Sequence, residues 1–315
     1  MGISGPPSGR VGQPLYGEPS FRPERSHTKL VAGGVVVAAL AGLAFFLFGS
    51  GGTQLGGPIA NAATVSSRMA GYRMRMAIDV TSSALGTPVT ASGRGVVDLR
   101  DQATSISMVM DLGEDPQVVQ ELGGSTMRID TITHGAVAYV KLPPVLTSAL
   151  TTSGKQWLKV DLAKLSNLPG LSSLASNPTS GDPSHILQSL RSASDSVVND
   201  GRQRVNGVET THYQAQLSLA RLADGLPPAQ RAAENQALST LEKALPAGQF
   251  PTDVWIDEHH LVRRVLMSLT LALPNAPSVQ ETVTVDFGHY GRQRVPAAPP
   301  ADQVQDLSSL AGAAG

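Results

Sequence analysis

Two hydrophobic patterns divide the chain. Residues 30–48 form an uninterrupted apolar run, whereas the chain from Tyr72 onward repeatedly alternates apolar and polar side chains. A run of this length matches the ~20 residues that an α-helix needs to cross a bilayer, and a period of two indicates β-strands with one buried face. The sequence therefore predicts one transmembrane helix followed by a strand-rich domain.

The clearest predicted strand spans residues 72–80 and puts Tyr72, Met74, Met76, Ile78 and Val80 on one face. Residues 89–99 and 103–112 continue the pattern and predict an antiparallel meander with it. The glycines at positions 93 and 95, on one face of the second segment, indicate a bend or a close approach. Further segments bring the expected number of strands to about eleven: 126–133, 136–142, 156–162, 196–205, 210–219, 252–257, 261–273 and 279–287.

Helical patterns interrupt the strands. Apolar residues at helical spacing predict a short helix within residues 59–69 and longer helices over 183–194 and 228–245. The mixture of Ser, Pro, Gly and Leu between residues 165 and 183 predicts a mobile flap.

Charge flanking the apolar run predicts the orientation of the chain. Four basic residues against two acidic residues precede the run, and the next basic residue after it is Arg68. Basic residues that flank a membrane span remain in the cytoplasm, so we expect a disordered cytoplasmic segment (1–29) followed by a single-pass anchor in the cell membrane (30–48). After the anchor we expect a glycine-rich linker (49–58), an extracytoplasmic domain (59–290) and a flexible tail (291–315). The tail contains a possible helical turn near residues 307–310.

A cleaved signal peptide is the alternative to an anchor, since Ala60-Asn61-Ala62 has the small-x-small form of a cleavage site. The apolar run is longer than a typical signal core, and the candidate site lies far beyond it. Retention as an anchor is therefore favoured.

Composition excludes several classes of protein. The chain has no cysteine, which excludes disulfides, thiolate metal sites, cysteine nucleophiles and lipid attachment through cysteine. A formal net charge of -1 argues against a nucleic-acid partner. With 41% hydrophobic but only 4% aromatic residues, the core must consist of aliphatic side chains and methionine.

Catalytic motifs are missing from the sequence: it contains no nucleophile elbow, phosphate loop, zinc-protease motif or dinucleotide fingerprint. Asp257-Glu258-His259-His260 brings together two acids and two imidazoles that in principle suit a metal. These residues fall between two predicted strands, where a hairpin needs a polar turn, so a turn is the favoured interpretation. We expect no enzyme activity, no metal and no cofactor.

The positions of the methionines indicate more about function than the search for catalytic motifs does. Six of the eight methionines lie in predicted strands: Met74, Met76, Met108, Met110, Met127 and Met267. Flexible, polarisable side chains at this density suit a surface that adapts to apolar ligands. They equally suit a core that fills its gaps without aromatic rings, and the pattern alone does not separate the two hypotheses.

Two stretches of the C-terminal half, residues 205–213 (VNGVETTHY) and 250–265 (FPTDVWIDEHHLVRRV), resemble the LppX/LprAFG family of actinobacterial cell-envelope lipoproteins. Residues 72–80, 139–141 and 157–160 resemble it as well, so the similarity covers roughly residues 59–290. The resemblance implies a LolA/LolB-like α+β fold, in which a strongly curved antiparallel sheet, a half-open barrel of about eleven strands, wraps around helices and an apolar cavity. Family members commonly carry a lipidated cysteine, which the apolar run replaces here.

The resemblance implies a membrane-tethered protein that accepts, presents or transfers a lipid or glycolipid in the cell envelope. The expected lining of the cavity is Met74, Met76, Ile78, Met108, Met110, Val265 and Met267, with the flap as its gate. The alternative is a non-catalytic sensory or protein-interaction ectodomain with a filled core. A further envelope protein is a possible partner in either case.

Overall fold

The computed structural model describes residues 2, 58–83, 87–113, 124–141, 143, 155–161, 194–218, 249–272 and 277–306. One helix, α1 (Pro58–Ser67), precedes the strands. The strands are β1 (Gly71–Ser82), β2 (Val89–Asp98), β3 (Ala103–Asp111), β4 (Thr126–His134), β5 (Val137–Lys141), β6 (Trp157–Asp161), β7 (Ser194–Val205), β8 (Val208–Ser218), β9 (Gln249–Asp257), β10 (Val262–Leu271), β11 (Val279–Gly288) and β12 (Val304–Asp306).

All twelve strands belong to one sheet, in the order β12-β6-β5-β4-β3-β2-β1-β11-β10-β9-β8-β7. Two antiparallel meanders make up this order, β1 to β6 and β7 to β11, because each strand pairs with its neighbour in the chain. The first strand β1 pairs antiparallel with β11 and so joins the two meanders into one sheet. The short strand β12 adds in parallel to β6 at one edge.

The predicted fold class is wrong. We expected an α+β fold with a sheet wrapped around helices, and the described residues form a single twelve-stranded sheet with one ten-residue α-helix and a three-residue 3-10 helix (Ala301–Gln303). The error has a physical reason: hairpins pair each alternating segment with the next, so one sheet accommodates all of them without intervening helical layers. The helices predicted over 183–194 and 228–245, and the flap, lie outside the described residues.

A transmembrane helix does not form part of the described structure. Within the residues given above, no helix has the length and apolar character needed to cross a membrane. The segment predicted to span the membrane, residues 30–48, lies outside them.

The eleven predicted strands form, with ends that differ by a few residues from the expected ones. The twelfth strand was not predicted, because its three residues are too few to show alternation and belong to a segment rich in Pro and Ala. A salt bridge of 3.0 Å between Lys159 Nζ on β6 and Asp306 Oδ2 on β12 accompanies this pairing.

One row of side chains on the more polar face of the sheet holds β8 to β11 in register. His212, Trp255, Arg264 and Asp286 are successive cross-strand neighbours. The imidazole of His212 stacks on the indole of Trp255 with ring centroids 4.4 Å apart. Arg264 Nε and a terminal nitrogen donate to the two carboxylate oxygens of Asp286 at 2.6 and 2.9 Å. A slip of one residue would break both contacts and expose the apolar side chains of the other face.

Candidate apolar ligand face

The seven side chains predicted to line a cavity lie on one face of the sheet. Their exposed fractions run from 0 to 7%, and all seven belong to one buried cluster. The strands that carry them, β1, β3 and β10, are not adjacent in the sheet, and β2 and β11 fill the places between them. The structure therefore brings the seven together, while their role in binding stays a prediction.

We call this buried side of the sheet the apolar face, and cross-strand pairing arranges its middle as two neighbouring rows. Each row crosses eight strands from β8 to β4, seven spacings of about 4.8 Å, and so extends on the order of 34 Å along the sheet. The first row contains Tyr213, Val254, Val265, Val285, Met76, Gly93, Met108 and Ile129; the second contains Ala215, Thr252, Met267, Val283, Ile78, Ala91, Met110 and Met127. The six methionines singled out in the sequence all contribute to the buried cluster.

Two glycines of β2 leave room for methionine side chains, as the close approach predicted from the sequence requires. A Cβ atom at Gly95 would lie 2.5 Å from Met74 Cε, and one at Gly93 would lie 3.2 Å from Met76 Cε and 3.2 Å from Met108 Cγ. The methionine ends thus lie directly over the backbone of β2. Because these side chains have three rotatable bonds, they can move without a change in the backbone.

Helix α1 packs against the same cluster. Ile59 and Ala62 are 4 and 0% exposed and belong to it. Ser66 follows at a spacing of four residues, which places it on the same side of the helix. Its hydroxyl oxygen is buried and has no hydrogen-bond partner among the described residues.

Two polar side chains interrupt the apolar face. Glu281 on β11 is 2% exposed and Thr252 on β9 is 0% exposed. Within the described part of the chain, neither Glu281 Oε1 nor Thr252 Oγ1 has a hydrogen-bond partner. Each unsatisfied buried group of this kind destabilises the folded state by about 1–3 kcal/mol. Burial raises the pKa of Glu281 from 4.5 to about 7, because removing a carboxylate from water disfavours its charged form.

Sequence reasoning missed Glu281 and Thr252, although the alternating pattern contains a signal for both. Glu281 falls in phase with the apolar positions 279, 283, 285 and 287, and Thr252 falls in phase with Phe250 and Val254. An acidic residue at an inward position of an apolar strand is uncommon, since charged residues are rarely buried without a partner.

The cluster at residues 257–260 forms the polar turn that was predicted between β9 and β10. Asp257 Oδ1 accepts hydrogen bonds from the backbone N–H groups of His259 and Leu261. Asp257 Oδ2 lies 2.6 Å from a terminal nitrogen of Arg263. The Asp257 carboxylate is thus used by the turn itself. Across the described ranges, no group of three or more His, Asp and Glu side chains is placed to hold a metal ion.

A polar cleft lies apart from the apolar face. It has a volume of about 460 Å³ and is lined by Asp98, Asp101, Ala103, His134, Arg292, Gln293, Arg294 and Val295. The Asp98 carboxylate accepts hydrogen bonds from the backbone of Arg100, Asp101 and Gln293. These bonds connect the segment after β11 to the turn after β2. The packing of these two segments against each other therefore forms the cleft.

The sequence matches no family model and no curated protein. Solved structures do resemble the fold. LprF from Mycobacterium bovis is 9% identical, with coverage of 76% of this chain and 94% of LprF and a TM-score of 0.38. The lipoprotein LppX from Mycobacterium tuberculosis is 14% identical, with coverage of 76% and 96% and a TM-score of 0.39. A LolA superfamily protein from Nitrosomonas europaea is 8% identical, with coverage of 76% and 93% and a TM-score of 0.28.

The sequence was expected to resemble LppX/LprAFG and LolA-like proteins, and these matches include LppX, LprF and a LolA superfamily protein. Identities and TM-scores this low do not carry a ligand or an activity to this chain. Any function must be argued from its own residues.

Proposed function

We propose that the protein is a non-catalytic binding protein for lipids or glycolipids, and that the apolar face receives their acyl chains. The observation that carries this proposal is the continuity of the face: two rows of mostly aliphatic and methionine side chains cross eight strands. Its extent, on the order of 34 Å, is comparable to the ~30 Å hydrocarbon thickness of a bilayer. Each methylene group buried on such a face contributes about 0.8 kcal/mol to binding.

The methionines explain how one face accommodates chains of different shape. Met74, Met76 and Met108 lie over the glycine backbone of β2, so rotating their ends changes the contour of the face and leaves the strands in place. An aliphatic side chain branched at Cβ would lack this freedom. Binding of this kind needs no chemical step, and the contacts of the described residues supply none.

We further propose that the domain acts outside the cytoplasm, in the cell envelope. The support is the excess of basic residues before residues 30–48, which is typical of a cytoplasmic flank.

The proposal is tested by purifying the full chain without a hydrocarbon detergent, then measuring its native mass and extracting bound lipid for mass spectrometry. We expect a lipid at near-stoichiometric amount. Met108→Gln is nearly isosteric but places an amide on the apolar face, and should reduce bound lipid at least tenfold, since an amide buried without a partner costs about 1–3 kcal/mol.

The matched control is Val109→Thr. Val109 follows Met108 on β3 but points to the opposite side and is 38% exposed, so the variant should retain the lipid. Circular dichroism and urea unfolding of both variants separate loss of binding from loss of fold.

A second candidate function, a protein-interaction or sensory domain with a filled core, is favoured by one observation. The seven predicted lining side chains are only 0 to 7% exposed, as is typical of a filled core. A purified chain that is free of lipid and takes up no added lipid would overturn the first function in favour of this one.

A further inference from the structure

We propose that the carboxyl group of Glu281 is a polar anchor within the apolar face and binds the hydroxyl group of an uncharged lipid. This inference rests on the proposed function and names the class of its ligand.

Among the described residues, the surroundings of Glu281 supply no partner for a carboxyl group. Its cross-strand neighbours are Val80 on β1 and Leu269 on β10. On its own strand, Val279 and Val283 point to the same side. All four neighbours are aliphatic and buried, so an apolar residue at position 281 would pack against them without an unsatisfied polar atom.

Glu281 is not the only polar group of this kind. Thr252 Oγ1 on β9 and Ser66 Oγ on α1 are also buried and lack a hydrogen-bond partner among the residues that the structure describes. Thr252 belongs to the second row of the apolar face, and Ser66 lies on the side of α1 that packs against it. Three unsatisfied groups around one apolar face indicate a ligand that is mostly hydrocarbon and carries polar groups that can hydrogen-bond.

The chemistry of the site favours a hydroxyl group. A buried carboxylic acid both donates and accepts hydrogen bonds, and a hydroxyl group complements either role without adding charge. An anionic headgroup would meet repulsion whenever Glu281 is ionised, and a cationic amine would lose its hydration among aliphatic side chains. An uncharged lipid with a hydroxyl group on its chain or backbone meets both conditions.

The experiment compares ligands that differ by one hydroxyl group. The full chain is titrated with methyl octadecanoate and with three methyl hydroxyoctadecanoates that carry the hydroxyl group near the ester, in mid-chain or at the far end. We expect at least one hydroxylated ester to bind about tenfold more tightly than the plain ester, because the hydroxyl satisfies a group that is otherwise buried without a partner.

Two substitutions assign this preference to its residue. Glu281→Leu should abolish the preference while binding of the plain ester stays equal or improves, and Glu281→Gln should retain part of it. Glu258→Gln makes the same chemical change as Glu281→Gln at a side chain that is 86% exposed and lies in the turn between β9 and β10; it is the matched control and should leave the preference unchanged.

Each outcome decides a different point. If the plain ester binds and no hydroxylated ester binds more tightly, or if the preference persists in Glu281→Leu, the anchor is refuted and the proposed function stands. If no ester binds to the full chain, the proposed function fails and the anchor fails with it.

Discussion

The stability of the protein should depend on pH through Glu281, and this dependence can be worked out from the structure. Its carboxyl group lies among aliphatic neighbours, and burial raises its pKa from 4.5 to about 7. Below pH 4.5 the group is protonated in both the folded and the unfolded chain and contributes no pH dependence.

Between these two pKa values of Glu281, a rise in pH destabilises the folded state relative to the unfolded chain. As the pH rises from about 4.5 to about 7, the unfolded chain releases the proton while the folded chain retains it, so the free energy of unfolding falls. At about 1.4 kcal/mol per pH unit over roughly 2.5 units, the loss is on the order of 3 kcal/mol. Above pH 7 the group is ionised in both states and the loss levels off.

Glu281→Gln removes this titration and leaves a neutral side chain of nearly the same shape. Urea unfolding followed by circular dichroism, at a series of pH values from 4 to 8, measures the free energy of unfolding of both proteins. We expect the variant to lose less stability than the parent as the pH rises, with a difference that grows to on the order of 3 kcal/mol.

Glu258→Gln is the matched control, because it makes the same chemical change at a side chain that is 86% exposed. Its stability curve should run parallel to that of the parent. Parallel curves for Glu281→Gln and the parent would refute the argument, since they would mean that the carboxyl group at position 281 is as well solvated in the folded chain as in the unfolded one.

Two further predictions concern packing and the β9–β10 turn. Gly95→Ala places a Cβ atom 2.5 Å from Met74 Cε and 2.9 Å from Met74 Cγ and should lower stability by about 1–3 kcal/mol in urea unfolding. Met74→Ala alone removes buried contacts and also lowers stability, but the double variant should lose less than the sum of the two single losses; additive losses would contradict the predicted contact. Asp257→Ala leaves Arg263 without its partner at 2.6 Å and should cost about 3–5 kcal/mol. Glu258→Ala in the same turn should change stability by less than about 0.5 kcal/mol, and equal losses for the two would show that the turn contacts are not what stabilises this hairpin.

Much of the sheet was predictable because the evidence for a strand is local. Alternation over residues 72–80 identifies both a strand and its buried side, since successive side chains of a strand point to opposite faces. The polar turn at residues 257–260 was predictable for the same reason. The fold class was predicted wrongly, because the arrangement of strands and helices depends on pairings that no short segment reveals.

A β-bulge shows one limit of reading periodicity. The pairing of β10 with β9 shifts between Val262 and Arg264, so Val262 and Val265 are both fully buried although they are three residues apart. The extra residue, Arg263, points toward Asp257. Such an insertion changes the phase of the pattern and becomes visible only when the partner strand is known.

The candidate site was likewise predictable only in part. The sequence by itself determined which side chains of each strand are apolar and share a side, and therefore that Met74, Met76 and Ile78 are buried together. Only the tertiary structure decided that β1 pairs with β11 and joins the two meanders, which puts Val265 and Met267 in line with Met76 and Ile78. The same pairing places Val80 beside Glu281, whose other neighbour, Leu269, lies on the adjacent strand β10. The burial of a side chain in a sheet depends on its cross-strand neighbours, and Val80 comes from a distant part of the chain.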